Sequence, residues 1–281
     1  MKDLLVSTDW LARHLGDPRV VVVDTRWYLQ DRRGIDEYRA GHIPGAAFLD
    51  VDTDLSDPPG PGRPGRHPLP SPARFAGALA RIGVSADSLV VGYDDEGGAI
   101  AGRLWWLLEY FGRPLGRVLD GGLAAWQAEG RPLETTPPAR RPAPTLALQP
   151  HPERVVGKRR VVELLREPGT LVLDGRSPER YRGEVETIDA RPGHIPGAKN
   201  APVAGNLVEP NGRFLPPAAL AERFAALGAN EATTIVCHCG SGVKACHNIL
   251  ALTLAGRPDA LLFEGSWSEW AADPDLPAAR E

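Results

Sequence analysis

The sequence predicts an α/β protein built twice over, each copy a parallel sheet with helices on both faces. Three observations lead there. Short motifs recur in the same order in the two halves of the 281-residue chain. In each half, apolar runs of strand length alternate with segments of helical length, the pattern of a parallel sheet covered on both sides. In the second half, a strand run passes through a Gly-Ser-Gly loop into a helix, the kind of connection where open α/β sheets place their ligands.

The repeat can be followed from end to end. Val20-Val-Val-Val-Asp-Thr-Arg26 is matched by Thr170-Leu-Val-Leu-Asp-Gly-Arg176. Gly41-His-Ile-Pro-Gly-Ala46 recurs as Gly193-His-Ile-Pro-Gly-Ala198, a turn signal in which His42 and His194 read as packing residues. Helical segments follow at Pro72–Ile82 and Pro217–Leu227, then strands at Leu89-Val-Val-Gly92 and Thr234-Ile-Val-Cys237. Leu119-Asp-Gly-Gly-Leu-Ala-Ala-Trp126 parallels Phe263-Glu-Gly-Ser-Trp-Ser-Glu-Trp270. The expected organisation is one copy over residues 1–135, a proline-rich linker over 136–152 and a second copy over 153–281. The linker carries Pro137, Pro138, Pro142, Pro144, Pro150 and Pro152 and reads as stiff and extended. A second Pro/Gly-rich stretch, Asp57 to Pro72, is too long for an ordinary connection and is expected to lid or border a site.

The chemistry concentrates in Thr233 to Gly256. A β-rich run, Thr233–Cys237, is followed by Cys239-Gly-Ser-Gly-Val-Lys244 and an apolar helix from Ala245 to Ala255, stopped by Gly256. Such a loop turns successive N–H groups inward, and the helix N-terminus adds its positive dipole end. A cysteine at the rim of that cradle should exist largely as thiolate, with Lys244 adding a formal charge. Cys239 is therefore read as a sulfur nucleophile. Two other readings compete: a core cysteine, since free cysteine is often buried, and a metal ligand, since Cys237, His238, Cys239, Cys246 and His247 cluster. Their spacing is not a usual zinc spacing, and the loop glycines argue against plain burial. In the first copy Asp94 stands opposite Cys239, so that copy lacks a nucleophile, and an acidic loop there would repel an anionic substrate.

Composition bounds the rest. A net charge of −4 implies no strong attraction to nucleic acid or membrane. No apolar run approaches a membrane span, the start lacks a signal-peptide core, and three cysteines within ten positions make no disulfide framework. A reducing cytoplasm, and a monomer, are expected. The lysines are Lys2, Lys158, Lys199 and Lys244.

These residues resemble the two-domain rhodanese sulfurtransferases, which use thiosulfate or 3-mercaptopyruvate. The paired Gly-His-Ile-Pro-Gly turns, Cys239-Gly-Ser-Gly-Val and Glu264-Gly-Ser-Trp-Ser-Glu-Trp270 carry the resemblance, which covers nearly the whole chain. It implies a persulfide relay without cofactor or metal. The partners it implies are a small anionic sulfur donor and a thiophilic acceptor such as cyanide or a thiol. It implies that Cys239 carries the sulfur and that Gly240, Gly242, Val243 and Lys244 shape its site. It implies that Ser241 works with Asp52 and His67 of the first copy, as in the mercaptopyruvate type, and that Trp27 lines an interdomain cleft. Arg180 matches the first of two family arginines that bind the donor. The second is absent, with Thr187 near its place, and Arg182 or Arg191 would have to substitute. The loop body points to mercaptopyruvate; the missing arginine and Lys244, where threonine is usual, point toward thiosulfate. A cysteine-dependent phosphatase would need an arginine where Ala245 stands, and a sulfur-carrier or binding module would not need Asp52, Ser241 and His67 together.

Overall fold

Valine and leucine runs make the central strands of a computed structural model that describes residues 4–62, 64–139 and 142–281. Arg63 of the long Pro/Gly-rich stretch and Arg140 and Arg141 of the linker stretch lie outside the described residues. In the first copy the elements run β1 (Leu5–Val6), α1 (Thr8–His14), β2 (Val20–Asp24), α2 (Gly34–Ala40), β3 (Ala47–Phe48), α3 (Pro72–Arg81), β4 (Leu89–Tyr93), α4 (Ala101–Tyr110), β5 (Gly116–Leu119) and α5 (Gly122–Ala128). The second repeats them: β6 (Val155–Val156), α6 (Lys158–Leu164), β7 (Thr170–Asp174), α7 (Pro178–Arg182), β8 (Lys199–Asn200), then a small extra sheet of β9 (Leu207–Val208) and β10 (Arg213–Phe214), α8 (Pro217–Ala226), β11 (Thr234–His238), α9 (Ala245–Leu254), β12 (Leu261–Phe263) and α10 (Ser266–Ala272).

Both five-stranded sheets are wholly parallel and share one order, β1-β5-β4-β2-β3 and β6-β12-β11-β7-β8. The expected tandem α/β fold is therefore what the chain adopts. Strand order reverses between β7 and β11, so the carboxyl end of β11 is a switch point of the second sheet. The strand before Cys239 begins and ends one residue later than the sequence suggests, because Thr234–His238 pairs residue for residue with Thr170–Asp174.

The chain packs as two compact units. One comprises Met1–Asp57, Pro70–His151 and Val208–Phe214; the other comprises Pro58–Leu69, Pro152–Leu207 and Leu215–Glu281. Residues 58–69 and 208–214 occupy equivalent places in the repeat, each between a third strand and the helix that follows it. The proline-rich stretch is held along the first unit by Ala143 N–H to the Ala80 carbonyl and Gln149 N–H to the Phe111 carbonyl, both outside regular structure.

Equivalent cores fill the two units. Val6, Leu11, Val20, Val22, Val91, Leu119, Leu123 and Trp126 pack in the first; Val156, Val161, Leu164, Val172, Val236, Phe263, Trp267 and Trp270 pack in the second. The repeated Asp-x-Arg explains itself. Asp24 and Arg26, and Asp174 and Arg176, are buried pairs, and each arginine also donates to the carbonyl of the glycine that opens the turn, Gly41 or Gly193, at 2.7 Å. His42 and His194 stack on Tyr38 and Tyr181 at 3.9 and 3.8 Å, with Nδ1 on those tyrosines' carbonyls. They are packing residues. Among the described residues no helix is long and apolar enough to cross a membrane.

Candidate active site

Cys239 is the first residue after β11, and α9 starts six residues on. Its loop is held by the turn between β12 and α10. The Cys239 N–H donates to Ser266 Oγ at 3.1 Å, Trp267 N–H donates to the Cys239 carbonyl at 3.0 Å, and Ser268 N–H donates to the Gly240 carbonyl at 2.8 Å. Ser266 is fully buried, its hydroxyl donates to the Phe263 carbonyl at 2.9 Å, and it sits at φ +53°, unusual for a residue with a side chain. The motif Glu264-Gly-Ser-Trp-Ser-Glu-Trp270 is thus a clamp on the cysteine loop. Gly242 adopts φ +80°, and a Cβ there would lie 2.5 Å from the Glu264 carbonyl oxygen, so only glycine fits.

This clamp explains one departure from expectation. Cys239 is not at an open rim: only 4% of it is exposed. Ser266→Ala removes the acceptor for a buried N–H, which should cost about 1–3 kcal/mol. Urea unfolding is expected to show the loss, with Ser266→Gly losing less because glycine accepts the left-handed backbone. An unchanged midpoint in Ser266→Ala would contradict the clamp.

The segment 58–69 lies against this loop. His67 Nδ1 is 2.7 Å from Ser241 Oγ, both side chains buried. Arg66 N–H donates to Ser268 Oγ at 3.1 Å, and Leu69 N–H donates to Glu264 Oε2 at 3.0 Å. The long Pro/Gly-rich stretch therefore does border the loop, and its proline and glycine content lets it cross there without a helix or strand of its own. Asp52 and Trp27 belong to the first unit, where Trp27 Nε1 donates to an Asp52 carboxylate oxygen at 3.1 Å.

Two guanidiniums flank Gly240. A Cβ on that glycine would lie 3.3 Å from Arg66 Nη2 and 3.5 Å from Arg180 Nη1, with no other heavy atom within 4 Å beyond its chain neighbours. Arg180 Nη2 donates to both oxygens of Glu186 and to Asp189 Oδ2, each at 2.9 Å, while Arg66 Nη1 donates to Asp189 Oδ1. Burial would raise the Glu186 carboxyl. The Asp189 and Ile188 N–H groups and the Arg180 guanidinium outweigh it and hold it below the usual range. The two arginines considered as substitutes are engaged elsewhere. Arg182 pairs with Glu184 at 2.8 Å, and Arg191 donates to the carbonyls of Trp270, Ala271, Asp273 and Leu276. Sequence reasoning missed Arg66; its position next to His67 was the available signal.

The neighbours of Cys239 are structural in their geometry. Cys237 faces the core, where burial pushes its thiol well above the ordinary range. Cys246 Sγ contacts the Gly242 carbonyl at 3.4 Å. His238 is fully buried, and desolvation lowers its pKa despite Asp174 at 3.7 Å. Lys244 caps α9 and is half-buried, and Val243 is buried. Among the described residues, no three His, Cys, Asp or Glu side chains are grouped to hold a metal ion.

The first copy shows what this loop design does with an anion. Asp94 follows β4 as Cys239 follows β11. Its carboxylate is fully buried and accepts the N–H groups of Glu96 and Gly98 at 2.8 Å and of Ile100 and Ala101 at 2.7 Å. Asp94 is therefore not a surface charge that repels substrate, as the sequence suggested. It fills the cradle from within.

A Rhodanese-like domain is recognised twice, over residues 7–129 and 158–273. With the two sheets and the loop between β11 and α9, this defines a tandem member, and the chain belongs to the rhodanese-like domain family. Among its relatives, a probable 3-mercaptopyruvate sulfurtransferase of Pseudomonas aeruginosa is 46% identical over 278 residues, 98% of this chain and 97% of that one. A putative thiosulfate sulfurtransferase, SseB, of Mycobacterium tuberculosis is 41% identical over 267 residues, 94% and 92% of the two chains. The crystal structure of SseA from Escherichia coli, described as a 3-mercaptopyruvate sulfotransferase of rhodanese fold, matches with TM-score 0.83 and 36% identity, covering 95% of this chain and 100% of that one.

Proposed function

We propose that this protein is a sulfurtransferase that moves one sulfur atom from 3-mercaptopyruvate or thiosulfate to a thiophilic acceptor through a persulfide on Cys239. The observation that carries the reading is the 2.7 Å approach of His67 Nδ1 to Ser241 Oγ, two residues from a cysteine at the sheet's switch point. The Cys239 thiolate attacks the donor sulfur and an S–S bond forms. With 3-mercaptopyruvate the C–S bond breaks, and its electron pair leaves as the enolate of pyruvate, which takes one proton. With thiosulfate the S–S bond breaks and sulfite leaves. A cyanide ion or thiolate then takes the outer sulfur and returns Cys239 to thiolate.

Ser241 and His67 are the pair that can hand the enolate its proton, with Asp52 as their assigned third member. The cradle stabilises the charge on the persulfide. The second loop is one residue shorter than the first, so by the repeat the Glu96 amide that holds Asp94 corresponds to that of Ser241, and those of Ile100 and Ala101 correspond to those of Lys244 and Ala245. Gly240 and Gly242 let the loop take this shape, Arg180 binds the donor's anionic end, and Trp27 belongs to the donor's surroundings. Residues 153–281 supply the nucleophile, and residues 1–135 carry Asp94 in its place. The three free cysteines suit a reducing compartment such as the cytoplasm.

Lys244 favours any anion at the α9 N-terminus. Lys244→Thr is expected to lower kcat/KM for thiosulfate about two- to fivefold, and for 3-mercaptopyruvate less. An equal loss for both donors would show that Lys244 does not choose between them. The function itself is tested by kcat/KM for the two donors side by side with cyanide as acceptor. Turnover of neither would refute it.

A further inference from the structure

One arginine over the catalytic loop is accounted for by the sequence pattern, and the other is not. Arg66 comes from the segment 58–69, yet its Nη2 stands as close to Gly240 as Arg180 Nη1 does, 3.3 against 3.5 Å from the Cβ position. The two are spaced by one carboxylate. Asp189, its side chain only 2% exposed, takes Arg66 on Oδ1 and Arg180 on Oδ2. Backbone contacts fix Arg66 as well, since its N–H is bound to Ser268 Oγ and the Ser268 N–H is bound to the Gly240 carbonyl.

Both guanidiniums keep donors in reserve. The Nε of Arg66 and the Nε of Arg180 are buried without a hydrogen-bond partner among the described residues. Arg66 engages its carboxylate through Nη1 alone, which leaves its whole Nε–Nη2 edge unspent, and Arg180 engages its carboxylates through Nη2 alone, which leaves its Nε and Nη1 as single donors. A buried N–H without an acceptor is costly, and two such groups beside one loop point to an acceptor that arrives with the ligand. A guanidinium edge is shaped for the two oxygens of a carboxylate.

We propose that Arg66 is the second donor-binding arginine of this enzyme: with Arg180, and spaced from it by Asp189, it holds the carboxylate of 3-mercaptopyruvate above Gly240. The proposal rests on the reading of the loop as the sulfur-donor site. It replaces the arginine missing near Thr187 with one from a different part of the chain, and it favours the carboxylate donor. Asp189 is a positioning residue in this scheme, because it acts through the two arginines.

The test compares 3-mercaptopyruvate with mercaptoacetone, which keeps the thiol and ketone and carries a methyl group in place of the carboxylate. The full-length enzyme and its Arg66→Ala and Arg66→Gln variants are assayed on both with cyanide as acceptor. The readout is the ratio of the two kcat/KM values, which cancels any loss of folded enzyme. Wild type should prefer 3-mercaptopyruvate. In both variants the ratio should fall about tenfold or more, mainly through KM for 3-mercaptopyruvate, the scale of one lost charged hydrogen-bonding group. A ratio within twofold of wild type in both variants would overturn the proposal, as would a wild-type enzyme that uses both donors equally. A wild-type enzyme that uses neither 3-mercaptopyruvate nor thiosulfate would instead overturn the sulfurtransferase reading.

Discussion

Cys239→Ser is expected to abolish sulfur transfer from either donor, while Cys237→Ser and Cys246→Ser keep most of it. A serine hydroxyl is not ionised at neutral pH and cannot hold a persulfide. Cys237 lies inside the sheet, where burial opposes ionisation of its thiol, and Cys246 lies on α9 against the Gly242 carbonyl. Neither has the loop position of Cys239. Thiocyanate formation from cyanide measures all three variants. A Cys237→Ser enzyme as inactive as Cys239→Ser, yet folded by circular dichroism, would call for a dithiol and end the single-carrier account.

His67→Ala is expected to reduce kcat for 3-mercaptopyruvate about 10²- to 10⁴-fold, the usual range for a lost general acid or base. Ser241→Ala should fall in the same range, and the double variant should be little worse than either alone, because the two act as one relay. Thiosulfate turnover should suffer far less. Sulfite leaves as a stable anion, whereas pyruvate leaves as an enolate that needs a proton. Equal losses for both donors would show that the 2.7 Å contact between His67 and Ser241 only braces the loop.

The sequence made some of this legible and hid the rest for physical reasons. Apolar runs such as Val20–Val23 and Thr234–Cys237 announce buried strands because parallel sheets are covered on both faces. The strand, Gly-rich loop and helix around Cys239 are local in the chain, so spacing alone located them. The four matched motifs disclosed the repeat, and the structure gives two of them a purpose. Asp-x-Arg ties a strand end to the Gly-His-Ile-Pro-Gly turn, and Glu264–Trp270 clamps the cysteine loop. Arg66 stayed hidden because its partner Asp189 is 123 residues away. A Pro/Gly-rich segment has no periodicity that predicts where it lies. Asp94 was misread for a related reason: a carboxylate in a glycine-rich loop looks like surface charge until its four N–H donors are seen. His67 was placed by resemblance and not by its local sequence, which reads as an ordinary loop.

The central claim is catalytic turnover through one persulfide, and steady-state kinetics with 3-mercaptopyruvate and cyanide test it most directly. The account predicts many thiocyanate molecules per enzyme chain and parallel double-reciprocal lines as cyanide is varied, the ping-pong pattern of a carrier that is loaded and then emptied. Release of only one thiocyanate per chain, with no further turnover while donor remains, would contradict it and leave a protein that carries sulfur without catalysing its transfer.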